Sequence, residues 1–424
     1  MKIAILNSTD LPGGGASAIR LHKAFRNAGL DSKLGLLFQG DREEGVECLG
    51  NVNTYATIHR RFGSSLQSLL ASILRPEGAF SDDVIAAQTA RLLNFVSGTD
   101  IIQLGSIARF VNSNQIRRMA MQSGCPIVFT LNDHAPITGG CHYTNGCARF
   151  AVDCGSCPAI RSRSRFDLSA WTLRRKKRNL KGLNIGIVAC SGYDEALVRK
   201  SPFFGKLQIA RIPLPIDSER FKPLRCEVAR EALGIPQNKR VILCGAMNLY
   251  DERKGLRQVT EALVRLCHRY PALCKDLLFV VAGNGRPKDF ESTSVPMQHL
   301  GLLRDDRSLA LAYQAADFLV SPSLLESGPL MVLEALLCGT PVVAFPVGYA
   351  ADIVPEFRLG RIAKHADTMD LSESIAEMIK MPENEIGEMK KRCRESAFAY
   401  CSPPTVAAQY VEFYQRLLGN RRHC

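Results

Sequence analysis

No stretch of this 424-residue chain approaches about 20 uncharged apolar residues, so a membrane-spanning helix is not expected. The apolar opening Ile3-Ala4-Ile5-Leu6 is short and gives way at once to Asn7 and Ser8, unlike a secretory leader. Low-complexity tracts and internal repeats are lacking too. Apolar residues at 46% and charged residues at 22% exclude a disordered chain. No recognisable DNA or RNA module is present, and aromatic residues are not interleaved with the basic ones, so nucleic acid is not an expected partner. A chain this long buries a sufficient core without disulfide staples. Its fifteen cysteines are therefore read as buried thiols, metal ligands or reactive groups.

The net charge of +13 is lopsided: residues 1–206 carry +11 and residues 207–424 carry +2. The N-terminal half is expected to meet something anionic, such as a phospholipid surface or a phosphorylated substrate. Short apolar runs at 2–6, 33–38, 100–104, 126–131, 184–191 and 207–212 read as buried parallel strands separated by helical stretches. The alternation restarts at Arg240, with strands at 241–245, 277–282, 317–321 and 341–345 and helices at 255–269, 307–316 and 329–338. Two successive blocks of this kind predict two doubly wound α/β domains. The proline-rich segment 213–217 reads as their linker. The expected boundaries are 1–210 and 211–395, with 396–424 packing back on the first domain. Val406, Tyr410, Phe413, Tyr414 and Leu417 fall at helical spacing in that last segment.

The most informative segment is SPSLLESGPLMVLEALLCGTPVVAF, residues 321–345. A strand ends at Ser321, Glu326 falls in the following loop, Ser327-Gly328-Pro329 open a helix, and Glu334 lies on it. A helix N-terminus at a strand's carboxyl end is an anion site. A carboxylate beside it is suited to accept hydrogen bonds from hydroxyls, and a second, two turns on, suits a ribose diol. A diphosphate between two hydroxyl-bearing sugars is a nucleotide-sugar. The spacing alone fits equally a solvated Glu326 and a capping Glu334.

Glu326 and Glu334 form an E-x7-E element, and the segment resembles that of retaining GT-B glycosyltransferases of family 4. DERKGLRQVTEAL (251–263), AGNGRP (282–287), LGLLRDDRSLALAYQAADFLVSPS (300–323) and IPLPIDSERFKP (212–223) are similar to the family's motifs in order and spacing. The resemblance implies a GT-B fold, with two Rossmann-like domains facing each other across a cleft that closes on the donor. It implies that Lys254 neutralises the donor diphosphate, that Glu326 holds the transferred sugar and that Glu334 holds the ribose. The amides from Gly328 through Pro329 to Leu330 would face the diphosphate. Gly283, Asn284 and the segment around Leu302 would frame the base. Gly14 and Gly15 would lie near the donor phosphate and the acceptor. Asn248 stands where the family often has a phosphate-binding Arg, and Arg253 is the expected substitute. The family generally needs no divalent cofactor, and no Asp-x-Asp pair occurs in the donor domain.

The stretch FTLNDHAPITGGCHYTNGCARFAVDCGSCPAI, residues 129–160, resembles a bacterial subgroup assigned to exopolysaccharide and surface-glycan synthesis. That subgroup reads TLHD at the strand end, with the His near the donor sugar. Here Asn132 replaces it and His134 follows, so either the imidazole is dispensable, or His134 reaches in, or the enzyme is impaired. Cys141, Cys147, Cys154 and Cys157 have the spacing C-x5-C-x6-C-x2-C, which suits a structural zinc site, while disulfides and unliganded thiols remain alternatives. Residues 161–181 carry nine Lys/Arg, one Asp and one Trp, either a solvated face or a contact for anionic lipid or a pyrophosphate-linked acceptor. A leucine-rich stripe at 66–74 behind Arg60 and Arg61 suits a membrane or a buried core. The expected protein is a metal-independent retaining glycosyltransferase. It would be cytoplasmic or peripheral on the inner membrane face, taking a UDP- or GDP-sugar to a lipid-linked glycan acceptor. A nucleotide-sugar epimerase and a non-catalytic nucleotide-sugar-binding scaffold are the rival readings.

Overall fold

The computed structural model describes residues 1–10, 14–38, 44–50, 80–84, 86–285 and 293–419. The stripe expected at 60–74, together with Arg286 and Pro287 of the AGNGRP motif, lies outside them. The chain divides into two compact units, Met1–Pro215 with Val406–Cys424, and Ile216–Thr405.

The first unit is built on β1 (Lys2–Thr9), β2 (Asp31–Phe38), β3 (Val46–Cys48), β4 (Ile101–Leu104), β5 (Ile127–Leu131), β6 (Ile185–Ala189) and β7 (Gln208–Arg211), in the order β3-β2-β1-β4-β5-β6-β7. All pairings in this sheet are parallel. The strands read as unbroken apolar runs because both faces are covered. Ala4, Leu6, Ile102, Leu104, Ile127 and Phe129 enter one core cluster, and the alternate residues Ile3, Ile5, Ile101 and Val128 enter another.

That second cluster is completed by the helix Pro403–Gly419, whose Val406, Tyr410, Phe413, Tyr414 and Leu417 are buried against it. Each such side chain contributes roughly 1.5–3 kcal/mol through burial. A buried polar ring fixes the register. Gln103 Nε2 donates to Thr130 Oγ1 at 2.6 Å, Thr130 Oγ1 hydrogen-bonds Tyr410 Oη at 2.8 Å, and Tyr414 Oη donates to Gln103 Oε1 at 2.8 Å. The helix Glu383–Cys401 stays whole in the second unit, because nothing breaks it before Pro403 and Pro404. The crossings therefore fall after Pro215 and Thr405, a few residues beyond the expected 210 and 395.

The second unit repeats the topology with β8 (Arg240–Asn248), β9 (Leu277–Asn284), β10 (Met297–Gly301), β11 (Phe318–Ser321), β12 (Val342–Ala344) and β13 (Gly360–Ile362), in the order β10-β9-β8-β11-β12-β13. Strands β3, β10 and β13 were not expected from sequence. All three are short sheet edges with half-exposed residues, so they carry no continuous apolar signal. In each unit the strand order reverses beside the first strand, between β1 and β4 and between β8 and β11. Ligands of open parallel sheets bind outside the strands' carboxyl ends at such a reversal.

The polar ring yields a prediction. Tyr410→Phe removes one of the two bonds of the buried Thr130 hydroxyl, which keeps Gln103, and is expected to lower stability by about 1 kcal/mol, read as a lower denaturant midpoint at unchanged m-value.

Candidate active site

At the reversal of the second unit, β8 ends at Asn248 and a short 3₁₀ turn, Glu252–Lys254, follows. Gly255, at φ 69°, lets this turn press on the end of β11. A Cβ there would fall 1.7 Å from Pro322 O. The Leu324 N–H donates to Arg253 O at 2.7 Å, which ties the loop after β8 to the loop after β11. The result is an ion pair: Lys254 Nζ contacts Glu326 Oε1, with side-chain exposures of 29% and 10%. The structure thus brings these two predicted residues together. Burial, and then the Arg253 guanidinium, push the Lys254 ammonium down to about 8 against the pull of Asp251. The Glu326 carboxylate in contact with Nζ favours the charged form, so charge loss begins no lower than that.

Arg253 is itself held by Asp251, at 3.1 Å through Nε and 2.6 Å through a terminal nitrogen. It lends Lys254 a neighbouring charge while its own fork engages a carboxylate. Asn248 is exposed at the strand end, and its Oδ1 accepts from the Tyr250 N–H at 3.1 Å. Gly283 and Asn284 close β9, with Asn284 in register with Asn248, and Leu302 follows β10, partly exposed.

The helix expected at 329–338 spans Leu330–Leu337, with Pro329 as its extended N-cap residue. Proline has no N–H, so the expected row of donors is corrected: Gly328 and Leu330 can donate there and Pro329 cannot. Gly328 lies under the Tyr349 ring, where a Cβ would approach to 2.4 Å. Glu334 is buried, and its Oε2 accepts from Tyr313 Oη at 2.9 Å. Tyr313 lies on another helix, Asp306–Ala315, inside the 300–323 motif, and the sequence alone does not pair it with Glu334.

In the first unit, Gly14 and Gly15 open the helix Gly14–Asn27 just beyond β1, and a Cβ on Gly15 would fall 2.6 Å from Thr9 O. Asn132 follows β5, and its Oδ1 accepts from Ser17 Oγ on that helix at 3.3 Å. Asn132 and Asp133 line a pocket with Ser81, Asp83, Gly105, Arg109 and Lys176. The structure does not bring His134 to this pocket. Its ring is wholly buried, its Nε2 lies 3.0 Å from Asp194 Oδ1, and Tyr143 and Tyr193 flank it. Of the alternatives for this strand end, a His134 that reaches in is not what this placement offers, since its imidazole lies outside the pocket lining. The chain turns into the 3₁₀ segment Ala135–Ile137 at this point and aims the imidazole inward.

The ring that does approach the pocket wall is His142, beside Cys141. Its Nδ1 lies 3.0 Å from Asp133 Oδ2, and its Nε2 hydrogen-bonds Ser81 Oγ at 2.6 Å. Burial alone would raise Asp133, but His142 and the Ala135 N–H hold it below the usual carboxylate range. Lys176, seen only as one cation of a basic run, turns inward to Ala135 O at 2.7 Å and Thr138 O at 3.2 Å. Desolvation lowers its pKa against the pull of Asp83 and Asp133.

Cys141, Cys147, Cys154 and Cys157 do line one small pocket, together with Phe80 and Phe150. All four are free thiols, and among the described residues no three or more His, Cys, Asp or Glu side chains are placed to hold one metal ion. Burial raises the Cys141 thiol and pushes Cys154 up to about 12, which keeps them protonated. No helix of the described residues is long and apolar enough to cross a membrane.

Residues 227–399, all in the second unit, match the family model "Glycosyl transferases group 1". The D-inositol 3-phosphate glycosyltransferase of Corynebacterium urealyticum is 31% identical over 50% of this chain and 52% of its own length. The GDP-mannose-dependent alpha-(1-6)-phosphatidylinositol dimannoside mannosyltransferase of Mycobacterium tuberculosis is 27% identical over 35% of this chain and 39% of its own. The chain spans about half the length, or less, of the curated relatives it matches. Among solved structures, Anabaena HepE in complex with UDP-glucose superposes with a TM-score of 0.66 at 16% identity, covering 98% of this chain and 100% of its own. Sucrose-phosphate synthase from Thermosynechococcus elongatus gives 0.64 at 18%, covering 99% of each chain. The fold class is thus two Rossmann-like units of the GT-B type.

The lysine environment predicts a pH dependence. Lys254 is charged below about 8, so affinity for a nucleotide-sugar is expected to hold there and to fall as pH rises through about 8. The fall approaches tenfold per pH unit once the neutral form dominates. Calorimetric titration with UDP-glucose or GDP-mannose across that range checks it, and Lys254→Arg should bind without the step.

Proposed function

We propose that the chain is a retaining glycosyltransferase that moves a hexose from a UDP- or GDP-sugar to a glycan acceptor, lipid-linked in an exopolysaccharide or surface-glycan pathway. The observation that carries the reading is the ion pair of Lys254 with Glu326 at the reversal of a parallel sheet, inside the segment with the glycosyltransferase group 1 match. Lys254 is a compact cation suited to a diphosphate. When a diphosphate takes the ammonium, Glu326 is released to accept hydrogen bonds from the sugar's hydroxyls. Gly328 and Leu330 add backbone donors at a helix N-terminus, where negative charge is favoured. Glu334, braced by Tyr313, faces the ribose. Leaving-group charge is then stabilised by fixed donors and a lysine without a divalent ion.

Asn132 in place of an imidazole favours one second reading, a binding protein that keeps the donor site without turnover. Asn132 can hydrogen-bond a sugar hydroxyl but carries no charge.

A thermal-shift panel with UDP-, GDP- and ADP-sugars tests the proposal. One nucleotide class at about 100 times its dissociation constant should stabilise the fold by about 2.7 kcal/mol. Lys254→Ala and Glu334→Ala should each remove most of that shift. Slow release of free sugar from the same donor, with the anomeric configuration kept and unaffected by a chelator, separates the transferase from the binding protein. No shift with any donor overturns both.

A further inference from the structure

We infer that the helix Leu168–Leu180 and the loop before it form a docking surface for an anionic lipid bilayer. Eight of the nine cations of residues 161–181 divide into two sets. Arg175 pairs with Asp83 at 3.1 Å, Lys176 and Lys177 donate to loop carbonyls, and Arg174 pairs with Asp153 at 2.5 Å. This set stitches the helix to the loops beneath it. Arg163, Arg165, Arg178 and Lys181 are exposed, and among the described residues none of them pairs with an acid.

Among these cations stand apolar side chains that the fold leaves in water. Phe166 is 79% exposed, Val152 76% and Trp171 43%. They are neighbours. The Arg174 guanidinium lies 5.6 Å from the Phe166 ring centroid and pairs with the residue after Val152, and the Arg175 guanidinium lies 5.2 Å from the Trp171 ring. Trp171, Arg174 and Arg178 share one helix face at i, i+3 and i+7. The loop is pinned rather than loose, since Ser156 N–H donates to Ser164 O at 2.6 Å and Ser156 Oγ to Arg163 O at 3.1 Å.

An anionic bilayer is the occupant this surface fits. Aromatic rings settle at the depth of lipid headgroups, and flanking arginines reach the phosphates while their stems cover apolar surface. Three apolar side chains make too small a dry patch for a stable protein interface. The surface belongs to the unit that carries nearly all the surplus positive charge. The inference does not rest on the transferase reading.

Trp171 is the chain's only tryptophan, so its fluorescence reports this surface directly. The full chain is titrated with vesicles of phosphatidylcholine, with or without phosphatidylglycerol. The expected result is a blue shift and quenching by brominated acyl chains with the anionic vesicles only. Each cation near such a surface strengthens binding roughly fivefold, so Arg163→Gln with Arg165→Gln should weaken partitioning roughly 25-fold. Phe166→Ser should weaken it further without removing its salt dependence. These side chains are exposed, so thermal stability should stay unchanged in both variants. Four outcomes overturn the inference: no shift with anionic vesicles, equal binding to phosphatidylcholine alone, wild-type binding by the double arginine variant, or an equal shift with homopolymeric RNA. The last would mark a general polyanion site.

Discussion

The contact between Lys254 and Glu326 is the constraint on which the second unit's chemistry depends. Two charges held half out of water are costly unless each satisfies the other. Strand order makes the pairing unavoidable. The reversal between β8 and β11 brings one loop from each strand to the same place, and the backbone bond from Leu324 to Arg253 holds the loops together. In the proposed reading, a ligand with both an anion and hydroxyls replaces both halves of the contact. A simple anion would take the lysine and strand the carboxylate.

The first unit uses the same strand order for different ends. Its reversal carries Asn132 and Asp133, with the latter braced by His142. Its far face is closed by a helix from the other end of the sequence, locked by Gln103, Thr130, Tyr410 and Tyr414. Thr130 lies two residues before Asn132, so the ring that fixes the closing helix also fixes the end of β5. The position of Asn132 thereby depends on residues nearly 280 positions away in sequence.

The architecture was legible because buried parallel strands announce themselves as apolar runs, and because Lys254, Glu326 and Glu334 sit in local motifs. What escaped was set by direction and distance. The inward turn at Ala135–Ile137 decides where His134 points, and no periodicity records it. Tyr313 meets Glu334 across two helices, and His142 meets Asp133 across a loop. The cysteine spacing was read for its ligands, whereas the structure places the thiols around a shared pocket without converging on one point. The basic run was read as one face, and the fold splits it between internal stitching and solvent.

Hydrogen-exchange mass spectrometry with and without UDP-glucose, repeated with GDP-mannose, tests the central claim most directly. The account predicts that one of the two donors protects residues 249–255 and 322–334, the loops that carry Lys254 and Glu326 and the helix that carries Glu334. Protection confined to the first unit, or none with either donor, would contradict it.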